Sequence, residues 1–163
     1  MMRKQWMVAV TLFISAAGMA QAQTVSAKPP AIEAFGKGVQ IYRCSPSAGS
    51  YAWALKAPEA TLSDAKGQLI GKHFAGPTWE SVDGSSVVGE PLNVSSSPDS
   101  GAIPWIVLHA KSHAGAGTMA DVDYVVRTRT EGGVAPAGGC DAKHADAEVR
   151  IPYSAIYLFF RHG

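Results

Sequence analysis

EVRIPYSAIYLFF, residues 148–160, places Val149, Ile151, Tyr153, Ala155, Tyr157 and Phe159 on one side of an extended chain. DVDYVVRTRT, residues 121–130, repeats the alternation. Val122, Tyr124, Val126 and Thr128 fall on one face, and Asp121, Asp123, Arg127 and Arg129 on the other. A period of two is the mark of a strand half-buried in an antiparallel sheet. YAWALKA (Tyr51, Trp53 and Leu55 on one side) and GVQIYRC are further strand candidates. Turn chemistry separates the runs: SDAKGQ at 63–68, AGPT at 75–78, VDGSS at 82–86 and SSSPDSGAIP at 95–104. The 17 glycines and ten prolines suit many short strands, and no helical stripe of useful length interrupts them. The expected fold is all-β, one antiparallel domain of roughly eight strands over residues 37–163, either a sandwich or a closed barrel. The alternation alone does not choose between the two.

The N-terminus points to export. MMRKQW supplies a basic start, MVAVTLFISAAGMA an apolar run and Ala20-Gln21-Ala22 a small-x-small cleavage site. Residues 1–22 therefore read as a cleavable signal peptide, too short in its apolar part for a spanning helix of ~20 residues. The expected location is secreted or periplasmic, and the expected mature protein does not span a membrane. Residues 23–36, with Pro29-Pro30, read as a flexible lead-in. Cleavage removes Arg3 and Lys4 and no acid, so 14 basic residues become 12 against 13 acidic. A near-neutral domain without a basic cluster is a poor nucleic-acid binder. Two cysteines, Cys44 and Cys140, in an oxidising compartment read as one structural disulfide closing a loop of about 96 residues.

HFAGPTWE, residues 73–80, is the richest stretch for chemistry. A two-residue turn at Gly76-Pro77, or a four-residue loop at 75–78, sets Phe74 opposite Trp79 and His73 opposite Glu80. Opposed side chains lie ~4.5–5.5 Å apart at Cβ, so both pairs touch. A three-residue loop would shift the pairing by one. In the first register Glu80 would hold the His73 imidazole basic, for proton transfer or metal binding. WIVLHAKSH puts Trp105, Val107, His109, Lys111 and His113 on one strand face, where His109 and His113 stand ~13 Å apart, too far to share a metal. His144 lies four residues past Cys140. No HExxH, GxSxG or dinucleotide fingerprint occurs.

Taken in order, GVQIYRC, HFAGPTWE, PDSGAIPWIVLHA, VVRTRTEGGVAPAGGCDA and VRIPYSAIYLFF resemble the pattern of the domain of unknown function 3455 family. This is a group of small secreted proteins of bacteria and fungi, and the resemblance covers about residues 36–160. It implies one exported domain and a Cys44–Cys140 bridge, since both cysteines sit in matching words. It implies no activity. A malate dehydrogenase label carried by some fungal relatives has no counterpart here, in the absence of a nucleotide-binding fingerprint.

The leading expectation is a non-enzymatic binding module with an aromatic/His pocket of His73, Trp79, Glu80 and Trp105. Its ligand would be a small molecule, a sugar or a cell-envelope or protein partner. The alternative is a metal-binding protein or metal-dependent hydrolase, with copper or zinc held by His73, Glu80 and one of His113 or His144.

Overall fold

The computed structural model describes residues 28–162, so the expected signal peptide and residues 23–27 lie outside the described residues. Eight strands follow one another: β1 (Ile32–Ser47), β2 (Ser50–Ser63), β3 (Leu69–Phe74), β4 (Thr78–Ser81), β5 (Ser86–Ser95), β6 (Trp105–Ala114), β7 (Val122–Gly132) and β8 (Glu148–Arg161). Each pairs antiparallel with the next, and β1 pairs with β8 from Ile32↔Phe159 to Arg43↔Glu148. The sheet is a closed barrel, which removes the alternative of a sandwich. A 3-10 turn at Ala142–His144 interrupts the long β7–β8 connection. β1 begins inside the segment expected as lead-in. After Pro29-Pro30 the chain has small residues, Ala34 and Gly36, at alternate positions facing inward, and it zips along β8 from Ile32.

Closure fixes which face is which. Ala34, Leu62, Trp79, Val87, Leu108, Val125, Tyr157 and Phe159 point into the barrel and are buried. Arg127 faces inward, whereas the paired charges lie outside, where Lys56 meets Glu148 at 2.6 Å, Lys72 meets Glu80 at 3.0 Å, and Arg150 pairs with Glu59. A barrel facing lipid carries the opposite arrangement, apolar outside and polar within. No helix among the described residues is long and apolar enough to cross a membrane. Two glycines make room for the large rings. A Cβ on Gly36 would lie 2.5 Å from Cε2 of Tyr157, and one on Gly89 would lie 3.1 Å from Cζ3 of Trp79.

The two ends differ. The β2–β3, β4–β5 and β6–β7 connections gather at one end, which is plugged. There the Asp83 carboxylate accepts from the amides and hydroxyls of Ser85 and Thr118 at 2.5–2.9 Å, and Met119 is buried behind them. Those four bonds hold the Asp83 carboxyl well below the usual carboxylate range, the Ser85 hydroxyl contributing most. The other end carries the Cys44–Cys140 disulfide, which joins β1 to the β7–β8 connection with Cα atoms 5.4 Å apart. A disulfide of this kind fits an extracellular or periplasmic setting.

One part of the wall is low. β3 has six residues and β4 four, against 14 in β2 and ten in β5. β3 pairs with β2 only over Ala60–Ser63, and β4 with β5 only over Ser86–Val88. Above the β3–β4 turn, β2 and β5 therefore run on without a partner between them. Pro58 and Pro91 stand on these bare edges, where a missing N–H costs no ladder bond.

Candidate functional site

The short β3–β4 hairpin decides the site. Its loop is Ala75-Gly76-Pro77, three residues, with Gly76 at φ 107°, a value that favours glycine. The register is therefore His73↔Trp79 and Lys72↔Glu80, not His73 opposite Glu80. His73 turns inward and stacks on Trp79, ring centroids 4.4 Å apart and planes 9° apart. Glu80 turns outward to Lys72. The expected His73–Glu80 pair does not exist, because the two side chains stand on opposite faces of one sheet. A one-residue shift in loop length is enough to do this.

The other members of the expected metal set are dispersed as well. His113 Nε2 bonds the Val122 carbonyl at 2.7 Å near the plugged end. His144 Nδ1 lies 2.8 Å from its neighbour Asp141, in the connection beyond the disulfide. Neither meets His73 or Glu80. Among the described residues, no group of three His, Cys, Asp or Glu side chains could hold a metal ion. Trp105 is likewise separated from Trp79. It lies on the outer face of β6, beside Pro98 and Arg129, while its neighbours Ile106 and Leu108 face the lumen.

What the structure does assemble is a cavity of about 340 Å³ at the low wall. Its mouth is formed by Leu55–Pro58 of β2, Gly76-Pro77 of the turn and Pro91 of β5. His73, Trp79, Tyr157 and Leu108 line it further in, with Gln40 of β1 and Arg127 of β7. The volume lies within the usual range for small-ligand sites. An eight-stranded barrel is just wide enough for packed side chains plus one such ligand. Trp79 is fixed on three sides: His73 covers a face, and Tyr157 and Phe159 meet it edge-on at centroid distances of 5.7 and 6.2 Å.

Polar groups in this lining are unusual. Gln40 is 1% exposed, and neither atom of its amide has a partner among the described residues; the Trp79 indole N–H is also unpartnered. Such atoms are rare in folded proteins because each costs its desolvation free energy, about 1–3 kcal/mol. His73 Nδ1 lies 2.8 Å from the Thr78 carbonyl oxygen. A carbonyl can only accept, so Nδ1 carries the proton and Nε2 keeps a lone pair. Burial pushes the His73 pKa down to about 4, with the Arg127 charge adding to it and the Thr78 bond opposing it. The ring is neutral at pH 7. Tyr153 and Tyr157 join hydroxyl to hydroxyl at 3.0 Å, and burial raises both phenols.

Gln40, Arg127 and Tyr157 are inner polar lining residues that lie outside HFAGPTWE. Gln40 has a signal in the sequence, since counting back by twos from Cys44 gives Tyr42, Gln40, Gly38 and Gly36 on one face. Arg127 has none. A bulge between Val122 and Tyr124 shifts the phase of β7, so Val125 and Arg127 face inward and Tyr124 is left outside, 38% exposed.

Neither a curated protein nor a solved structure matches the chain. A family model does, over residues 25–161, nearly the whole of the described barrel: the chain belongs to the family described as "Protein of unknown function (DUF3455)".

Proposed function

We propose that this protein is a binding module that takes one small, largely apolar molecule through the low wall of the barrel onto the His73–Trp79–Tyr157 surface. The observation that carries this reading is Gln40, a fully buried amide lining the cavity with both polar atoms unpartnered. A purely structural barrel is more stable with an apolar side chain there. A ligand that bonds the amide offsets its cost. The apolar mouth, where Leu55 is 57% exposed, supports the same reading. Binding is favoured over acid–base chemistry because His73, with a pKa near 4 and Nδ1 engaged by Thr78, is a weak base at neutral pH.

Gln40→Met tests the proposal with two readings. Ligand-free protein gains stability, about 1–3 kcal/mol from removal of the unpaired amide, seen as a higher melting temperature. Binding of 2-naphthol, followed at the Trp79 indole N–H resonance, becomes weaker. A variant that melts lower and binds 2-naphthol unchanged would mean that the amide serves the fold, and the reading would be lost.

A further inference from the structure

We infer that the ligand is a flat organic anion, a carboxylate, whose charged end lies at Arg127. This rests on the cavity reading above and names the chemistry of its occupant.

Arg127 reaches the cavity through the β7 bulge, which moves it from the solvent phase of the strand to the lumen phase. Its Nε and Nη2 both donate to the Pro104 carbonyl oxygen, at 3.1 and 2.8 Å. Two bonds to one acceptor hold the guanidinium plane in place beside the Tyr157 phenol, its other hydrogen-bonding neighbour. None of the ion pairs among the described residues involves Arg127. The cavity lining contains no carboxylate at all. Its other cation, Lys56, stands at the mouth and is paired with Glu148. Arg127 is half-buried at the cavity and its bonded acceptor, a carbonyl, is no counter-charge, so its positive charge is open to an anion. A ligand carboxylate supplies the counter-charge at the end of the guanidinium that Pro104 leaves open.

The rest of the lining sets the shape of the anion. Trp79, His73 and Tyr157 form a rigid aromatic wall behind the cavity, with Trp79 only 1% exposed, so the complementary body is a thin, flat, apolar one. The Gln40 amide, buried among the lining residues, has two N–H donors and one carbonyl acceptor without partners. Neutral His73 and the raised Tyr157 phenol add no negative charge at pH 7 that would compete for Arg127.

The experiment compares 2-naphthoate, 2-naphthamide and 2-naphthylmethylammonium, three probes of one shape and different charge, on the same chain at pH 7. Binding is read at the Gln40 side-chain amide and Trp79 indole resonances. The expected order is anion, then neutral, then cation, with the anion roughly tenfold or more tighter than the amide, as for a hydrogen bond to a charged group. In Arg127→Met that preference falls to within about twofold, and in Lys56→Met it persists. If Arg127→Met does not fold, the order of the three probes on the unmodified chain still decides. Equal binding of naphthoate and naphthamide, with Gln40 and Trp79 both responding, overturns the anion inference and leaves the cavity reading standing. An anion preference that survives Arg127→Met but disappears in Lys56→Met also overturns it. No response at Gln40 or Trp79 to any probe overturns both.

Discussion

Breaking the Cys44–Cys140 bridge lowers the stability of the barrel by up to about 4–5 kcal/mol, the loop-closure entropy of a chain link this long. The separation is 96 residues, so the bridge joins the first strand to the last connection. Backbone bonds also hold that connection, Cys44 N–H donating to Ala147 O and Asp146 N–H to Cys44 O, both at 2.9 Å. They keep the local geometry when the bridge is cut, but they do not restrict the unfolded chain. The effect therefore appears as a lower melting temperature with the barrel otherwise intact. For a domain of this size the fall is roughly 10–20 °C. Calorimetry with and without reductant measures it. The double variant Cys44→Ala/Cys140→Ala serves better than serine, because Cys44 is fully buried and a hydroxyl there would lack a partner. A fall of less than about 2 °C would show that the bridge does not constrain the unfolded chain as the entropy model requires.

Acidification from about pH 6.5 to 4 removes on the order of 3 kcal/mol through one side chain, His73. In the unfolded chain this imidazole titrates near 6.5; in the barrel it titrates near 4. Between those values the unfolded chain binds a proton that the folded one refuses, so stability is fully present above 6.5 and is lost as pH falls toward 4. The carboxylates with depressed values, Asp83, Asp141 and Glu59, act in the same direction but only around and below their ordinary values, 3.8 for the aspartates and 4.5 for the glutamate. The window from about pH 6.5 down to about 4.5 belongs mainly to His73. Denaturant melts at pH 7 and 4.5 should differ in the unmodified protein and converge in His73→Phe, which keeps the stack on Trp79 and loses the proton site. An NMR titration of the His73 ring should show no protonation until about pH 4, and Glu80→Gln should leave that value unmoved. A midpoint near 6.5, or a downward shift in Glu80→Gln, would return His73 and Glu80 to one face.

Much of the fold is legible from alternation. Tyr153, Ala155, Tyr157 and Phe159 do line the lumen as the spacing of β8 indicates. Barrel closure is not legible in this way, because a sandwich strand and a barrel strand alternate identically; the difference is the long-range pairing of Ile32 with Phe159. Residues whose face is set after a defect in the ladder are also hidden. Arg127 follows a bulge that no residue type announces, and it moves from the outer face to the site. At the β3–β4 turn the same sequence allows loops of two, three or four residues. Only the three-residue loop turns His73 onto Trp79 and sends Glu80 out to Lys72. Along β6 the grouping of Trp105, Val107 and His109 on one face is readable, but that this face is the outer one follows from which way Leu108 points.

The cavity lined by Gln40 and Trp79 is the proposed ligand site. The most direct measurement is a side-chain N–H map of the protein titrated with 2-naphthol, 2-naphthamide and 2-naphthoate. The Gln40 amide and the Trp79 indole should shift together with at least one probe, while the indoles of Trp53 and Trp105, outside the cavity lining, stay in place. Shifts confined to Trp53 or Trp105, with Gln40 and Trp79 unmoved by every probe, would contradict it.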